Sequence, residues 1–352
     1  MKATLDDIAK KANVSRSTAQ WVMSGRGGEF RISAATRQRV LKAGEELHYH
    51  PSFSARATRQ GKTQSLGFIC GDINTPYYSE MAAAILHEAD AKGYHLIISV
   101  TEWDLKKERD AISMLLLGGK VDGVIVAAGG LLPGTSEYDA IVEQHSPLVL
   151  LNVHTPGLSC IRSRWEPGMD EAVRHLKSRG HAVIAYAPYK TPPTPGSANH
   201  DIKQDYFREA CERHGLRHRI LTATQSQEEL IRLGTRTAAR PDHPSAIIAY
   251  SDYAATRLIR GVVEAGLDVP RDLAIIGIDG TAFGAYYNPP LTSISCDIPA
   301  LARRPGDWVH PGTPNRPRRH PGTNQPDYQE KWLTLFFGII FGGHGQPPRE
   351  TP

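Results

Sequence analysis

Arg16, Ser17 and Gln20 open a stretch, RSTAQWVM, that reads as a short helix. At helical spacing they share one outward face with Trp21, while Thr18, Ala19, Val22 and Met23 turn mostly inward. An Arg can place two hydrogen bonds on guanine and a Gln two on adenine. Polar side chains in the first turns of a helix can therefore read base edges in the DNA major groove. The plain structural alternative is a helical hairpin with a solvated face.

The neighbouring residues supply what such a helix needs. Ser15 is a candidate N-cap. Thr4 can cap a preceding helix, with Asp6 and Asp7 in its first turn beside the positive end of the helix dipole. Leu5, Ile8, Ala9 and Ala12 form its apolar stripe, and Asn13 tolerates the left-handed backbone of a tight turn. Ser33 opens a third helix with Thr36, Val40, Ala43 and Leu47 on one face. Between the second and third helices, Gly25 to Glu29 is a Gly-rich loop where Arg26 can meet phosphate. Residues 51–60, PSFSARATRQ, are short, basic and nearly without core-forming positions, as expected of a linker that becomes helical only when held.

The chain has 352 residues and a net charge of +4. Residues 1–62 hold 12 Lys/Arg against 5 Asp/Glu, a local charge of +7, which leaves −3 on the other 290. A basic head on a mildly acidic body fits a nucleic-acid module fused to a second function. No window is apolar and long enough to span a bilayer, and charged residues interrupt any signal core at the N-terminus, so a cytoplasmic location is expected. Cys70, Cys160, Cys211 and Cys296 lie far apart, without metal or redox spacing. No nucleophile elbow, phosphate-binding Gly loop, zinc-binding His-Glu motif or dinucleotide fingerprint occurs, which argues against an enzyme and implies no cofactor.

From Ser65 the texture changes to apolar runs alternating with amphipathic stretches. SLGFICGDI, YHLIISV, VDGVIVAA and PLVLLNV read as strands, with helices over 78–92 and 106–117. The pattern restarts with helices at 168–179, 201–214, 227–239 and 252–265, and strands AVIAYA, HRILTA, SAIIAYS and LAIIGID. Such alternation predicts doubly wound parallel sheets in two lobes, with a ligand cleft at the C-terminal strand ends.

These residues carry a resemblance. TLDDIAKKANVSRSTAQWVMSGR, YHPSFSARATRQGKTQSLGFI, NTPYYSEM, KVDGVIVAA, EAVRHLKSRGHAVIAY and GLDVPRDLAIIGIDG followed by PPLTSI are similar, in order, to the lactose/galactose repressor family of bacterial transcription regulators. The resemblance spans about residues 3–298. It implies a three-helix helix-turn-helix head (1–48), a hinge helix (49–62) and a two-lobed core like that of periplasmic sugar-binding proteins (63–303). It further implies a homodimer, or a tetramer, on a near-palindromic double-stranded operator, controlled by a small sugar or metabolite. The DNA surface is then Thr4, Ser15, Arg16, Ser17, Thr18, Gln20, Trp21, Arg26, Arg56 and Thr58. The effector surface is Asn74, Tyr77, Tyr78, Asn152, Trp165, Lys203, Ser251, Asp252 and Asp279, with Asp279 and Lys203 the strongest candidates. For most of these a structural role competes: lobe packing for the tyrosines, helix capping for Asn152 and Asp279, core packing for Trp165.

Four departures stand out. Trp21 replaces a usual polar residue, leaving backbone contact, thymine-methyl contact or packing on the third helix open. Thr58 stands where a Leu wedge is usual, so weaker operator bending is expected. Lys203 stands for Arg and loses the planar fork. After Arg303 the expected helix and short strands give way to a tail with 9 of the 25 prolines in residues 304–352. That tail reads as poorly packed, and either as the product of a frameshift near codons 303–305 or as a genuine lineage-specific tail. The leading reading is thus an effector-controlled regulator, with a solute-binding protein, an enzyme and a regulator that binds DNA without responding as the alternatives.

Overall fold

The computed structural model describes residues 3–49, 62–127, 129, 131, 133–152, 155–188, 201–223 and 226–296. The hinge residues Arg56 and Thr58 and the tail 304–352 lie outside them. The chain divides into two compact units, residues 1–63 and 64–352.

The first unit is the expected trio of helices, α1 (Leu5–Ala12), α2 (Arg16–Met23) and α3 (Ala34–Glu46). Thr4 and Asp7 cap α1 reciprocally: the Thr4 hydroxyl accepts from Asp7 N, and the Asp7 carboxylate accepts from Thr4 N. Asn13 ends α1 at φ 52°, the left-handed turn its type allows. Ser15 caps α2 and Ser33 caps α3, each accepting from the backbone N–H three residues on. Ile8, Ala9, Ala12, Ala19, Val22, Val40 and Ala43 form the core. So small a core is marginal, and the caps, at about 1 kcal/mol each, matter proportionately.

The second unit holds two five-stranded parallel sheets. The first lobe runs β1 (Ser65–Cys70), α4 (Pro76–Asp90), β2 (His95–Val100), α5 (Leu105–Ile112), β3 (Gly123–Ala127), α6 (Ser136–Glu143), β4 (Leu148–Leu151) and β5 (Ser159–Ile161), in sheet order β2-β1-β3-β4-β5. The helix expected over 106–117 is α-helical only to Ile112 and continues as a π-turn, Ser113–Leu117. The second lobe runs α7 (Glu166–Ser178), β6 (Val183–Ala187), α8 (Ile202–His214), β7 (Arg217–Ile220), α9 (Gln227–Ala238), β8 (Ala246–Ala249), α10 (Asp252–Glu264), β9 (Ala274–Asp279) and β10 (Thr292–Ser295), in order β10-β9-β8-β6-β7. A short 3-10 turn, Ala282–Tyr286, precedes β10.

Central strands β1, β3, β4 and β8 are buried throughout, which is why they read as unbroken apolar runs rather than alternating ones. Helices α9 and α10 pack so closely that Gly234 and Gly261 have no room for side chains: a Cβ on Gly261 would strike the Ile231 carbonyl oxygen.

Candidate functional site

The C-terminal ends of both sheets open onto one cavity of about 610 Å³ in the second unit. Thr75, Asp201, Ser226 and Ser251, the N-cap residues of α4, α8, α9 and α10, all border it. Parallel topology dictates this, since each helix starts where a strand has just ended.

Asp279 terminates β9 at φ 125°, a conformation that a side chain rarely adopts. The residue is 6% exposed, and its carboxylate sits 3.6 Å from Lys203 Nζ. Burial pushes the Asp279 carboxyl up to about 7; Lys203 opposes the shift, and the charges of Asp252 and Glu80 add to it. Lys203 lies in the first turn of α8, donates to the Tyr250 carbonyl oxygen at 2.8 Å and stands 4.6 Å over the Trp165 ring. The lysine is thus committed on three sides, to a carboxylate, a carbonyl and an indole face.

Across the cavity, Tyr77 and Tyr78 meet edge to face at 5.0 Å. Asn152 donates from Nδ2 to the Tyr77 hydroxyl at 2.9 Å and accepts from Ser163 N at 2.6 Å. Both ends of its amide are engaged, so it orients Tyr77 and holds the loop after β4. Burial pushes the Tyr77 hydroxyl well above its ordinary range. Trp165 is 7% exposed and belongs to the large core cluster while also lining the cavity.

Asn74 and Asp252 are not among the residues that line the cavity. Asn74 is exposed and does not line the cavity; its backbone N–H donates to Asp72 Oδ1 at 2.8 Å in the turn before α4. Asp252 is buried and faces away from the cavity lining. Its carboxylate accepts from Thr281 N at 2.7 Å, from the Thr281 hydroxyl at 2.8 Å and from the Ser293 hydroxyl, tying α10 to the turn after β9 and to β10. Burial raises its carboxyl, and those hydrogen bonds hold it down. Ser251 does line the cavity, with its hydroxyl accepting from Ala254 N.

Asp72, Trp103, Asp201, Tyr250 and Tyr253 also line the cavity and were missed. Asp201 was legible as a helix start, and its carboxylate additionally accepts from the Tyr186 hydroxyl at 2.8 Å. Trp103 and Tyr250 sit in loops, where periodicity carries no information.

In the first unit, Arg16 and Ser17 are exposed at the start of α2, and Gln20 is half-buried on the same helix. Arg16 Nε lies 3.3 Å from Asp6 Oδ1, an exposed pair that costs little to break. The Thr4 and Ser15 hydroxyls are spent on capping, and the half-buried Thr18 shares a hydrogen bond with Ser15. Trp21 is half-buried and stacks on Phe30 at 4.0 Å and 6°. Arg26 pairs with Glu29 at 2.8 Å and covers the other aromatic of that stack, 5.2 Å from the Phe30 centroid. A phosphate would have to displace Glu29. No group of three or more His, Cys, Asp or Glu that could hold a metal ion occurs among the described residues.

Comparison with known proteins agrees with this geometry. The profile for bacterial regulatory proteins of the lacI family matches residues 4–52, and one for a periplasmic binding protein-like domain matches residues 173–329. The second match runs well past Arg303, into the stretch read as foreign to the family. The HTH-type transcriptional regulator DegA of Bacillus subtilis is 33% identical over 308 residues, covering 85% of this chain and 88% of that protein. Catabolite control protein A of Priestia megaterium is 30% identical, covering 86% and 91%. Among solved structures, the lac repressor dimer bound to operator and an anti-inducer superposes with a TM-score of 0.70 at 23% identity, covering 86% of this chain and 90% of that one. A regulator from Lactobacillus casei with bound glucose gives 0.58 at 22%, covering 68% and 89%.

Proposed function

We propose, since the chain belongs to the lacI family of bacterial regulatory proteins, that it is a repressor whose hold on DNA is set by a polyhydroxylated effector in the cavity between its lobes. That it is a DNA-binding transcriptional regulator follows from the family; the chemical class of the effector is our reading. Its relatives are regulators rather than enzymes, and we read this chain the same way. Action in the cytoplasm on a near-palindromic operator, as a dimer, completes the proposal. No helix among the described residues is long and apolar enough to cross a membrane.

The observation that carries the effector reading is the Asp279–Lys203 pair at the floor of an aromatic-walled cavity. A polyol needs what that site offers: a buried carboxylate that accepts from two hydroxyls, a cation that donates to another, and apolar ring faces for its C–H surface. Arg16, Ser17 and Gln20 on α2 support base reading, since they present donors and acceptors in the first turns of an exposed helix.

The test is operator release. The full chain is bound to labelled DNA from upstream of its own gene, and monosaccharides and disaccharides are added in turn. A polyol that shifts the binding curve supports the reading, and Lys203→Met should remove that shift while leaving effector-free DNA binding intact. Release by anionic metabolites alone would refute the polyol class.

A further inference from the structure

Trp103 occupies a backbone conformation that its side chain does not favour. It lies in the loop from Thr101 to Asp104, between β2 and α5, and borders the cavity while remaining 37% exposed. Glu102 and Trp103 are both left-handed, at φ 53° and 63°. A loop that needed only the turn would use Gly or Asn there, because a bulky side chain at positive φ meets its own backbone. The loop is nevertheless pinned. Thr101 N donates to the Cys70 carbonyl oxygen at 2.9 Å, and the Thr101 hydroxyl donates to the same atom at 3.3 Å. Asp104 caps α5 by accepting from Lys106 N at 2.7 Å and Lys107 N at 3.0 Å, and Lys107 pairs with Glu102.

The strained backbone places the indole in a prepared seat. A Cβ on Gly71 would run into its fused-ring carbons, so only a glycine at the end of β1 lets the ring lie there. Tyr78, itself a cavity residue, meets the indole edge to face at 5.7 Å. Tyr77, Tyr78 and Trp103 thus form a continuous aromatic wall on the first lobe. The second lobe supplies Asp279 and Lys203 to the same cavity.

We infer that Trp103 is an effector-contacting platform and a determinant of specificity: its indole takes the apolar face of a ring-shaped effector whose hydroxyls go to Asp279 and Lys203. This rests on reading the cavity as a polyol site. Strain persists in a fold where the surroundings enforce it and the strained group is used, and a cavity-lining Trp held by a Gly seat meets both conditions.

The experiment compares the full wild-type chain with Trp103→Gly and Trp103→Phe by thermal unfolding, alone and titrated with D-glucose, D-galactose, D-fructose and D-ribose. Without sugar, Trp103→Gly should unfold within a few degrees of the wild-type temperature, because relief of the left-handed strain offsets part of the packing lost against Gly71 and Tyr78. Any sugar that stabilises the wild type should bind Trp103→Gly about tenfold more weakly, with Trp103→Phe retaining most of the affinity. Equal affinity in wild type and Trp103→Gly overturns the inference. So does a midpoint lowered by several degrees in Trp103→Gly, which would make the indole a structural plug. If none of the sugars stabilises the wild type, the polyol reading falls and the platform role falls with it.

Discussion

Replacing Asp279 by Asn should change how stability depends on pH. The carboxyl is buried and lies near 7 in the folded chain, against 3.8 for an unperturbed Asp. The folded state therefore holds this proton over a pH range in which the unfolded chain has lost it, and stability falls as pH rises from about 4 to about 7. A shift of some three units corresponds to about 4 kcal/mol once both states are ionised. Most of that range lies between pH 5 and pH 8, where the wild type should lose about 2.5 kcal/mol through this one group. Asp279→Asn cannot titrate. It leaves Lys203 with the Tyr250 carbonyl and the Trp165 face but no carboxylate, a cost that does not vary over this range. Urea unfolding of both proteins at pH 5, 6, 7 and 8 isolates the difference, because Glu80 and Asp252 are common to both. The variant should gain on the wild type as pH rises, by roughly 1–3 kcal/mol between the end points. Parallel curves, within about 0.5 kcal/mol at every pH, would refute a proton on Asp279 near neutrality.

Glu80 on α4 accepts from Ala282 N of the opposite lobe at 2.9 Å, a hydrogen bond that joins residues 202 apart. Glu80→Ala should cost about 1–2 kcal/mol of stability and alter effector sensitivity in DNA binding, while Glu80→Gln, which keeps the acceptor, retains most of both. Gly261→Ala should lower unfolding free energy by about 2 kcal/mol or more, since its methyl would strike backbone at Ile231 and, at 2.9 Å, Thr235 N, which side-chain repacking cannot relieve. Reading the gene one base over after the Ala302 codon should restore an amphipathic helix and a terminal strand; codons that yield neither would show the Pro-rich tail to be the native end.

The strands buried on both faces were plain in the sequence, because a parallel sheet covered by helices leaves runs such as GVIVA and LVLL with no polar position. The caps were equally plain: Thr4, Ser15 and Ser33 each announce a helix that follows. Strand β5 was not legible, since Ser159–Ile161 is too short for any period, and α6 starts in a Gly- and Pro-containing stretch that reads as loop. In the cavity, Asp279 and Lys203 came from the family resemblance at strand and helix ends. For Asp252 the sequence leaves two readings open, because a helix-opening carboxylate faces either a ligand or its own fold, and its hydrogen bonds to Thr281 and Ser293 come from residues far along the chain. Trp103 left a faint signal, an aromatic inside the polar turn TEWD. Nothing local says that Gly71 waits beneath it, because that contact spans a whole helix and strand.

The most direct measurement is DNA binding by the full chain to the region upstream of its own gene, against random DNA at two salt concentrations, with Arg16→Ala alongside. Specific binding should be salt-sensitive yet survive competitor, as phosphate contacts with a basic head require. Arg16→Ala should weaken specific binding by about 1–3 kcal/mol and leave random DNA nearly unaffected. Upstream DNA bound no more tightly than random, or equal loss on both DNAs in Arg16→Ala, would contradict a reader built on α2.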